Sequence, residues 1–344
     1  MMKFLGCSVL LFALLGAAAL DAGEEAALKI KPATLAPRGS VYHQILQGLA
    51  EKWQAAPGGG VKLVIFPDAS QGSESDMIRK MRTGQIQAAL ITASGMAEID
   101  ESVNALQNMP LVFRSLAEVE EVRQRLRPLI AERFLGKGFV LLALEDAGWV
   151  KFFCKKPAVL PADLQRLKLF ALSSDIKALE IWRTAGFTPV PMDTVDMVTG
   201  LTTSRIEAVP APPTYANAMQ IFSHAPHMID LNWAPLVGGL VVKKEAWEKI
   251  PEAMREPLRC AAEEAGKLLL ARTRQENNDA VEAMKKRGLQ VHAVDAAAEA
   301  AWRESVEKCY PMIRGKIVPA DLYDEVMKIL QNLRSQGETG QPAK

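Results

Sequence analysis

SESDMIRKMRTGQIQAALIT, residues 73–92, contains one full helix-to-strand unit. Residues 74–83 are dominated by good helix formers and stop at Gly84, the residue that most readily leaves a helix. Residues 88–92, AALIT, are apolar and short, as a buried strand should be. Working outward, residues 28–35 read as a strand, and residues 40–55 as a helix with Ser40 as N-cap and Ile45, Leu46, Leu49 and Trp53 on its apolar face. Pro57 and three glycines end that helix, and residues 61–66 form the next strand. Downstream, an amphipathic stretch at 116–134 precedes a strand at 139–145. This βαβα rhythm implies an α/β fold with a largely parallel sheet and helices on both faces.

A second series begins near Trp149. Residues 150–155 and 168–172 read as strands, and 174–185 as a helix capped by Ser174 and closed by Gly186. Pro189 and Pro191, then residues 194–204, repeat the strand-to-helix pattern, and 237–242 is a strongly apolar strand. Residues 251–287 read as one long helix with Pro257 as a candidate break point. Residues 336–344 are polar and expected to fray.

The whole chain has 344 residues, enough for about two domains. Its 41 basic and 40 acidic residues leave a net charge of +1, so no polyanion-seeking field exists and nucleic acid is not an expected partner. Lys3 followed by an uncharged run to Leu20, ending in small residues, has the pattern of a secretory signal over residues 1–22, cleaved after Ala19 or Ala22. A retained anchor is the alternative, although the run is short for a span of about 20 residues. Export would remove Cys7 and leave Cys154, Cys260 and Cys309, of which Cys260 and Cys309 are the pair with helical surroundings on both sides.

Catalytic and metal motifs are missing. His224 and His227 are separated by Pro226 and lack a third ligand, so a surface role is expected. There is no nucleophile elbow, phosphate-binding loop or dinucleotide fingerprint. Ser94 lacks a His or acid at motif spacing and is expected to supply a turn or a hydrogen bond. Asp193 and Asp196 serve as an acid pair or, equally well, as helix-start charges. Neither cofactor nor metal nor enzymatic activity is expected.

Several runs, in order and at consistent spacing, resemble the substrate-binding proteins of TRAP transporters, the DctP-type periplasmic receptors. They are Tyr42 and His43 after Ser40, FPDASQG from Phe66, MRTGQIQAALIT from Met81, MPLVFRS from Met109, PADLQRLKL from Pro161, AGFTPVPM from Ala185 and LVVKKEAWEKIP from Leu240. The resemblance implies a two-lobed α/β periplasmic binding protein fold with hinge strands and a long helix spanning both lobes. Lobe one would comprise residues 28–147 and 237–274, lobe two 148–236 and 275–335, and the tail 336–344. It also implies a soluble periplasmic receptor that passes a small molecule to membrane transporter subunits.

Departures from the family pattern bear on the ligand. Where relatives place an Arg that pairs with the ligand carboxylate, this chain has Phe170; where they have a Gly-aromatic-Arg run it has Gly148, Trp149 and Val150. A polar segment following Asp-Gly is replaced by Glu207 to Pro213, EAVPAPP. A desolvated carboxylate without its cation costs several kcal/mol, whereas burying apolar surface yields about 25 cal/mol per Å². The expected ligand is therefore apolar or amphiphilic and lipid-like, held by Trp149, Val150, Phe170, Leu172, Met192, Val209, Pro212 and Tyr215. Phe170 and Trp149 would be opposed walls, and Ser94, Gln71, Tyr42 or Asn232 would orient a polar end. The resemblance extends to a branch that handles hydrophobic ligands beside a tetratricopeptide-type periplasmic partner. The alternative is an organic-acid receptor in which Lys151 or Lys168 replaces the Arg. Gly238 and Gly239 stand in the strand expected to cross between lobes, as hinge positions or sites of close packing.

Overall fold

The computed structural model describes residues 28–57 and 60–339; the proposed signal at 1–22 lies outside them. The strands among these residues are β1 (Leu28–Ile30), β2 (Pro32–Thr34), β3 (Val61–Leu63), β4 (Ala88–Thr92), β5 (Phe139–Trp149), β6 (Lys151–Cys154), β7 (Lys168–Leu172), β8 (Thr188–Met192), β9 (Ala208–Ala211), β10 (His227–Asp230), β11 (Pro235–Lys243) and β12 (Gln290–Ala293). The helices that bear on the site are α1 (Val41–Gln54), α2 (Glu74–Arg82), α3 (Ala93–Ala97), α4 (Leu116–Gly136), α5 (Ile176–Thr184), α6 (Pro213–Ala218), α7 (Glu252–Lys285), α8 (Ala296–Glu307) and α9 (Ala320–Thr339).

Local chemistry sets the element ends. Ser40 Oγ accepts from the His43 N–H at the start of α1. Ser73 and Asp76 cap each other at the start of α2, a reciprocal box. Gly84, at φ +76°, takes the chain out of that helix toward β4. The cap of α5 is Asp175, whose carboxylate accepts from the Ala178 N–H at 2.8 Å, rather than the expected Ser174.

One lobe carries the sheet β2-β4-β11-β5, flanked by the parallel pair β1 and β3; the other carries the six-stranded sheet β12-β10-β6-β9-β7-β8. The expected single strand at 28–35 is split because its two halves join different sheets. Both main sheets are mixed rather than largely parallel. In the first, β2 and β4 are parallel, while β11 runs antiparallel to both β4 and β5. In the second, β6 runs antiparallel to β9 and β10, whereas β7 is parallel to β8 and β9. The reason is the route of the chain: it leaves the first lobe along β5 and returns along β11 beside it, so the returning strand must point the other way. The two crossings, between Trp149 and Lys151 and between Asp230 and Pro235, are tied together where the Val150 N–H donates to the Ala234 carbonyl at 2.9 Å.

Helix α7 continues through Pro257 as one helix of 34 residues. It packs on α1 and β5 of the first lobe and on α6 of the second, so it does span both. The last helix departs from the expected lobe assignment of 275–335. Helix α9 folds back on α4 in the first lobe, where Arg334 pairs with Glu118 at 2.8 Å and Leu322, Val326, Ile329 and Leu330 are buried. It also continues to Thr339, past the expected start of the tail at 336.

The second lobe is held by an aromatic cluster. Trp182 stacks on Trp233 at 4.9 Å and Phe152 on Trp302 at 5.7 Å, and Trp302 Nε1 donates to the Val159 carbonyl at 2.7 Å. Cys154, Cys260 and Cys309 are free thiols. Cys260 and Cys309, the candidate pair, are not bridged: Cys309 is buried facing the Ile181 carbonyl, and Cys260 is exposed on α7 beside Glu256.

Candidate ligand-binding site

The cleft between the lobes has two chambers, each of about 200 Å³. The first is walled by Tyr42, Leu90 and Val237 on one side and by Pro212 and Tyr215 on the other. The second is walled by Val150, Phe170, Trp182 and Trp233, with Ser94, Gln107, Asn108 and Asp175 as its polar groups. Leu172, Thr194, Pro210 and Leu236 line both chambers and form a waist between them. No Lys, Arg or His lines either chamber among the described residues.

Contacts across the cleft hold the lobes together. Tyr42 Oη lies 3.2 Å from Thr214 Oγ1, Ser94 Oγ donates to Asp175 Oδ2 at 3.4 Å, and Lys177 pairs with Glu101. Each contact joins a residue of the first lobe to one of the second. The two lobes therefore touch across the cleft on either side of a resident ligand.

Four carboxyl groups border the cleft. Glu74 accepts from the Thr92 N–H and hydroxyl, both at 2.7 Å, and from the Gly95 N–H at 3.0 Å, tying α2 to the turn between β4 and α3. Its burial nevertheless lifts its pKa above the usual carboxylate range. Asp146, with a fully buried side chain, pairs with Arg274 at 2.7 Å, and Glu145 lies 3.0 Å from Arg123. Burial pushes Glu145 up to about 7 in spite of that guanidinium. Asp175 is also raised by burial, against the Ala178 N–H, the Ser94 hydroxyl and the nearby Lys177 ammonium. Tyr42 and Tyr215 are both pushed up to about 12 by burial, so both phenols stay protonated.

The cleft brings together seven of the side chains singled out from the sequence: Tyr42, Pro212 and Tyr215 in the first chamber, Ser94, Val150 and Phe170 in the second, and Leu172 in both. Phe170 shows only a small face, being 6% exposed and packed in a core that includes Met192 and Val209. The structure corrects the other five. Met192 and Val209 are core residues that do not reach the cleft. Gln71 is engaged by Lys80 Nζ at 3.2 Å. Trp149 and Asn232 lie in a separate groove with Lys151 and Asp230. Side chains alternate along an extended chain, so with Val150 turned into the cleft its neighbours Trp149 and Lys151 face away, and Trp149 is not a wall opposite Phe170. Lys151 is held by Asp230 at 2.6 Å and Asn232 at 2.7 Å, and Lys168 donates to the Ser204 carbonyl at 3.2 Å; neither reaches the cleft.

Sequence reasoning missed the waist residues Thr194 and Leu236 and the polar group Asp175. Asp175 was legible as a cap candidate beside Ser174, but nothing in the sequence shows that its helix start faces Ser94 of the other lobe. His227 does not pair with His224; its Nδ1 lies 3.0 Å from His292 Nε2 on the adjacent strand. Among the described residues no three His, Cys, Asp or Glu side chains converge as a metal site. Gly238 and Gly239 sit mid-strand in β11, where an added Cβ at Gly239 would lie 2.7 Å from the Ala143 carbonyl oxygen, so close packing accounts for it.

A family profile described as bacterial extracellular solute-binding protein, family 7 (DctP), matches residues 33–316. Among curated proteins, the chain is 25% identical over 238 residues to the 2,3-diketo-L-gulonate-binding periplasmic protein YiaO of Escherichia coli, covering 68% of this chain and 71% of that protein. It is 22% identical over 258 residues to the C4-dicarboxylate-binding periplasmic protein DctP of Rhodobacter capsulatus, covering 74% of this chain and 76% of that one. Among solved structures, a TRAP periplasmic solute binding protein from Shewanella oneidensis with bound succinate superposes with a TM-score of 0.82 at 17% identity, covering 88% of this chain and 99% of that one.

Proposed function

The chain belongs to the DctP family of bacterial extracellular solute-binding proteins, and from that premise we propose that it is a periplasmic receptor for an apolar or amphiphilic, lipid-like molecule. The family is one of solute receptors, not enzymes. The observation that carries the ligand class is the cleft itself: two chambers lined mainly by aliphatic and aromatic side chains and bordered by carboxyl groups, with no cation among the described lining residues. A small dicarboxylate closed in such a site would be desolvated beside like charges and left unpaired, a cost of several kcal/mol. An apolar ligand losing roughly 200 Å² of surface to the walls would gain about 5 kcal/mol instead.

A second reading, a receptor for a small organic acid, is favoured by the solutes for which the relatives are named. It requires a cationic anchor, and both lysines nominated for that role are engaged outside the cleft. In the first reading, closure of the lobes traps the ligand, and the loaded receptor delivers it to membrane transporter subunits, with a tetratricopeptide-type periplasmic protein as a further partner. Export through the segment at 1–22 would place the receptor in the periplasm.

Isothermal titration of the purified mature protein against a panel of organic acids, succinate and 2,3-diketogulonate included, and against lipid extracts tests the proposal. Binding should appear with lipid and be absent with the acids. Tight, salt-sensitive binding of a small carboxylate would overturn it.

A further inference from the structure

The two chambers differ in a way that orients a ligand. The first is the more apolar, whereas Ser94, Gln107, Asn108 and Asp175 line the second. Within that group the hydrogen bonding is incomplete. Gln107 Oε1 accepts from the Val237 N–H at 2.8 Å, but its amide nitrogen donates to no protein atom among the described residues. Asn108 donates to Asn104 Oδ1 at 3.1 Å and leaves its own amide oxygen open. Asp175 Oδ1 is used by the Ala178 N–H, while Oδ2 has only the 3.4 Å bond from Ser94, at the long limit for a hydroxyl donor. Thr194, at the waist, has a hydroxyl with no partner among the described residues.

We infer that the second chamber is a head-group subsite that selects a hydrogen-bond-donating group, a hydroxyl or an ammonium, through Asp175 with Asn108, while the apolar body of the ligand passes the Leu172–Thr194 waist into the first chamber. The inference rests on the apolar reading of the cleft and narrows it to a chemical class. The two open acceptors, a carboxylate oxygen and an amide oxygen, belong to residues lining a chamber that no cation lines, so a donor satisfies them and a carboxylate head group is repelled, while a hydroxyl can in addition accept from the open Gln107 amide. The aromatic walls Phe170, Trp182 and Trp233 suit an alkyl segment next to the head group and tolerate an ammonium. The same Asp175 oxygen bonds Ser94 of the opposite lobe, so the head group would bind where the lobes meet.

The test is a titration of the mature protein with 1-decanol, decylammonium and decanoate, three probes with one chain length and different heads, read by tryptophan fluorescence because Trp182 and Trp233 line the subsite. Decanol and decylammonium should each bind about tenfold or more tighter than decanoate, the discrimination expected when a like charge meets a desolvated carboxylate. Asp175→Asn keeps a good N-cap for α5 while removing the charge, and should bring decanoate to within about threefold of decanol. Decanoate binding as tightly as decanol to the unmodified protein would overturn the head-group inference and leave the apolar reading intact. If none of the three binds while succinate does, the apolar reading falls and the inference with it. An unchanged ranking in folded Asp175→Asn would remove Asp175 from the role.

Discussion

Leu172 closes β7 at the waist of the cleft, half-buried and in contact with both chambers, so a ligand that spans the cleft must lie against it. Replacing it with alanine removes three carbon atoms from that contact. At about 0.8 kcal/mol per buried CH₂, a fully desolvated contact would lose about 2 kcal/mol, roughly a 30-fold rise in Kd. The unliganded protein should suffer less, about 1 kcal/mol, because in its empty state this side chain still faces the cavity on one side. Leu135→Ala, on the exposed surface of α4, is the control and should change neither quantity. Titrating 1-decanol into the three proteins by tryptophan fluorescence gives the affinities, and urea melts of the same samples give the stabilities. A Leu172→Ala protein that binds decanol as well as the parent does would refute the idea that the ligand passes the waist. A loss of stability as large as the loss of affinity would mean that Leu172 acts as core rather than as wall.

Three further expectations concern the scaffold. Trp302→Ala should destabilise the protein by about 3–5 kcal/mol in urea melts, since it removes a fully buried ring stacked on Phe152 and leaves the Val159 carbonyl without its donor; a cost below 1 kcal/mol would contradict the aromatic-cluster account. Gly239→Ala should cost about 1–3 kcal/mol, because its Cβ would meet the Ala143 carbonyl and Met96 Sδ, whereas Gly48→Ala, with open space on α1, should be neutral or slightly stabilising; equal effects would remove the packing argument. Glu145, raised by burial to about 7, holds its proton more tightly folded than unfolded. Its contribution therefore falls as pH rises from about 4.5 to about 7, and Glu145→Gln should flatten that segment of the stability–pH curve; an identical slope in the variant would show that Glu145 is not the titrating group.

The elements of the fold were legible because local signals and burial agreed: Ser40 caps its helix, Gly84 ends the next and AALIT is a central strand. The parallel rhythm misled because it describes strand-helix-strand units, whereas the strand that returns from the other lobe has no helix to announce its direction. The C-terminal helix was placed on the wrong lobe because its amphipathic pattern says that it packs and not on what. For the site, Phe170, standing where the resemblance places an arginine, pointed to the right strand and does line the second chamber, yet most of it is core, and Leu172 two residues on reaches both chambers. Trp149 and Asn232 looked equally suited to the cleft, and alternation along the two crossings, which turns Val150 and Trp233 inward instead, separates them from it. Asp175 and Thr194 follow different strands of the second lobe and Leu236 lies on the returning strand β11, so only the tertiary fold brings them to one chamber, which no local pattern encodes.

The most direct test of the ligand class is what the protein carries when taken from the cell. Native mass spectrometry of the receptor purified from periplasm without detergent, followed by solvent extraction and identification of the released molecule, reads the occupant of the cleft. An apolar molecule with a hydroxyl or amine, bound one per chain and lost on Leu172→Ala, is the expected result. A one-to-one complex with a small di- or monocarboxylate, retained in Leu172→Ala, would contradict it.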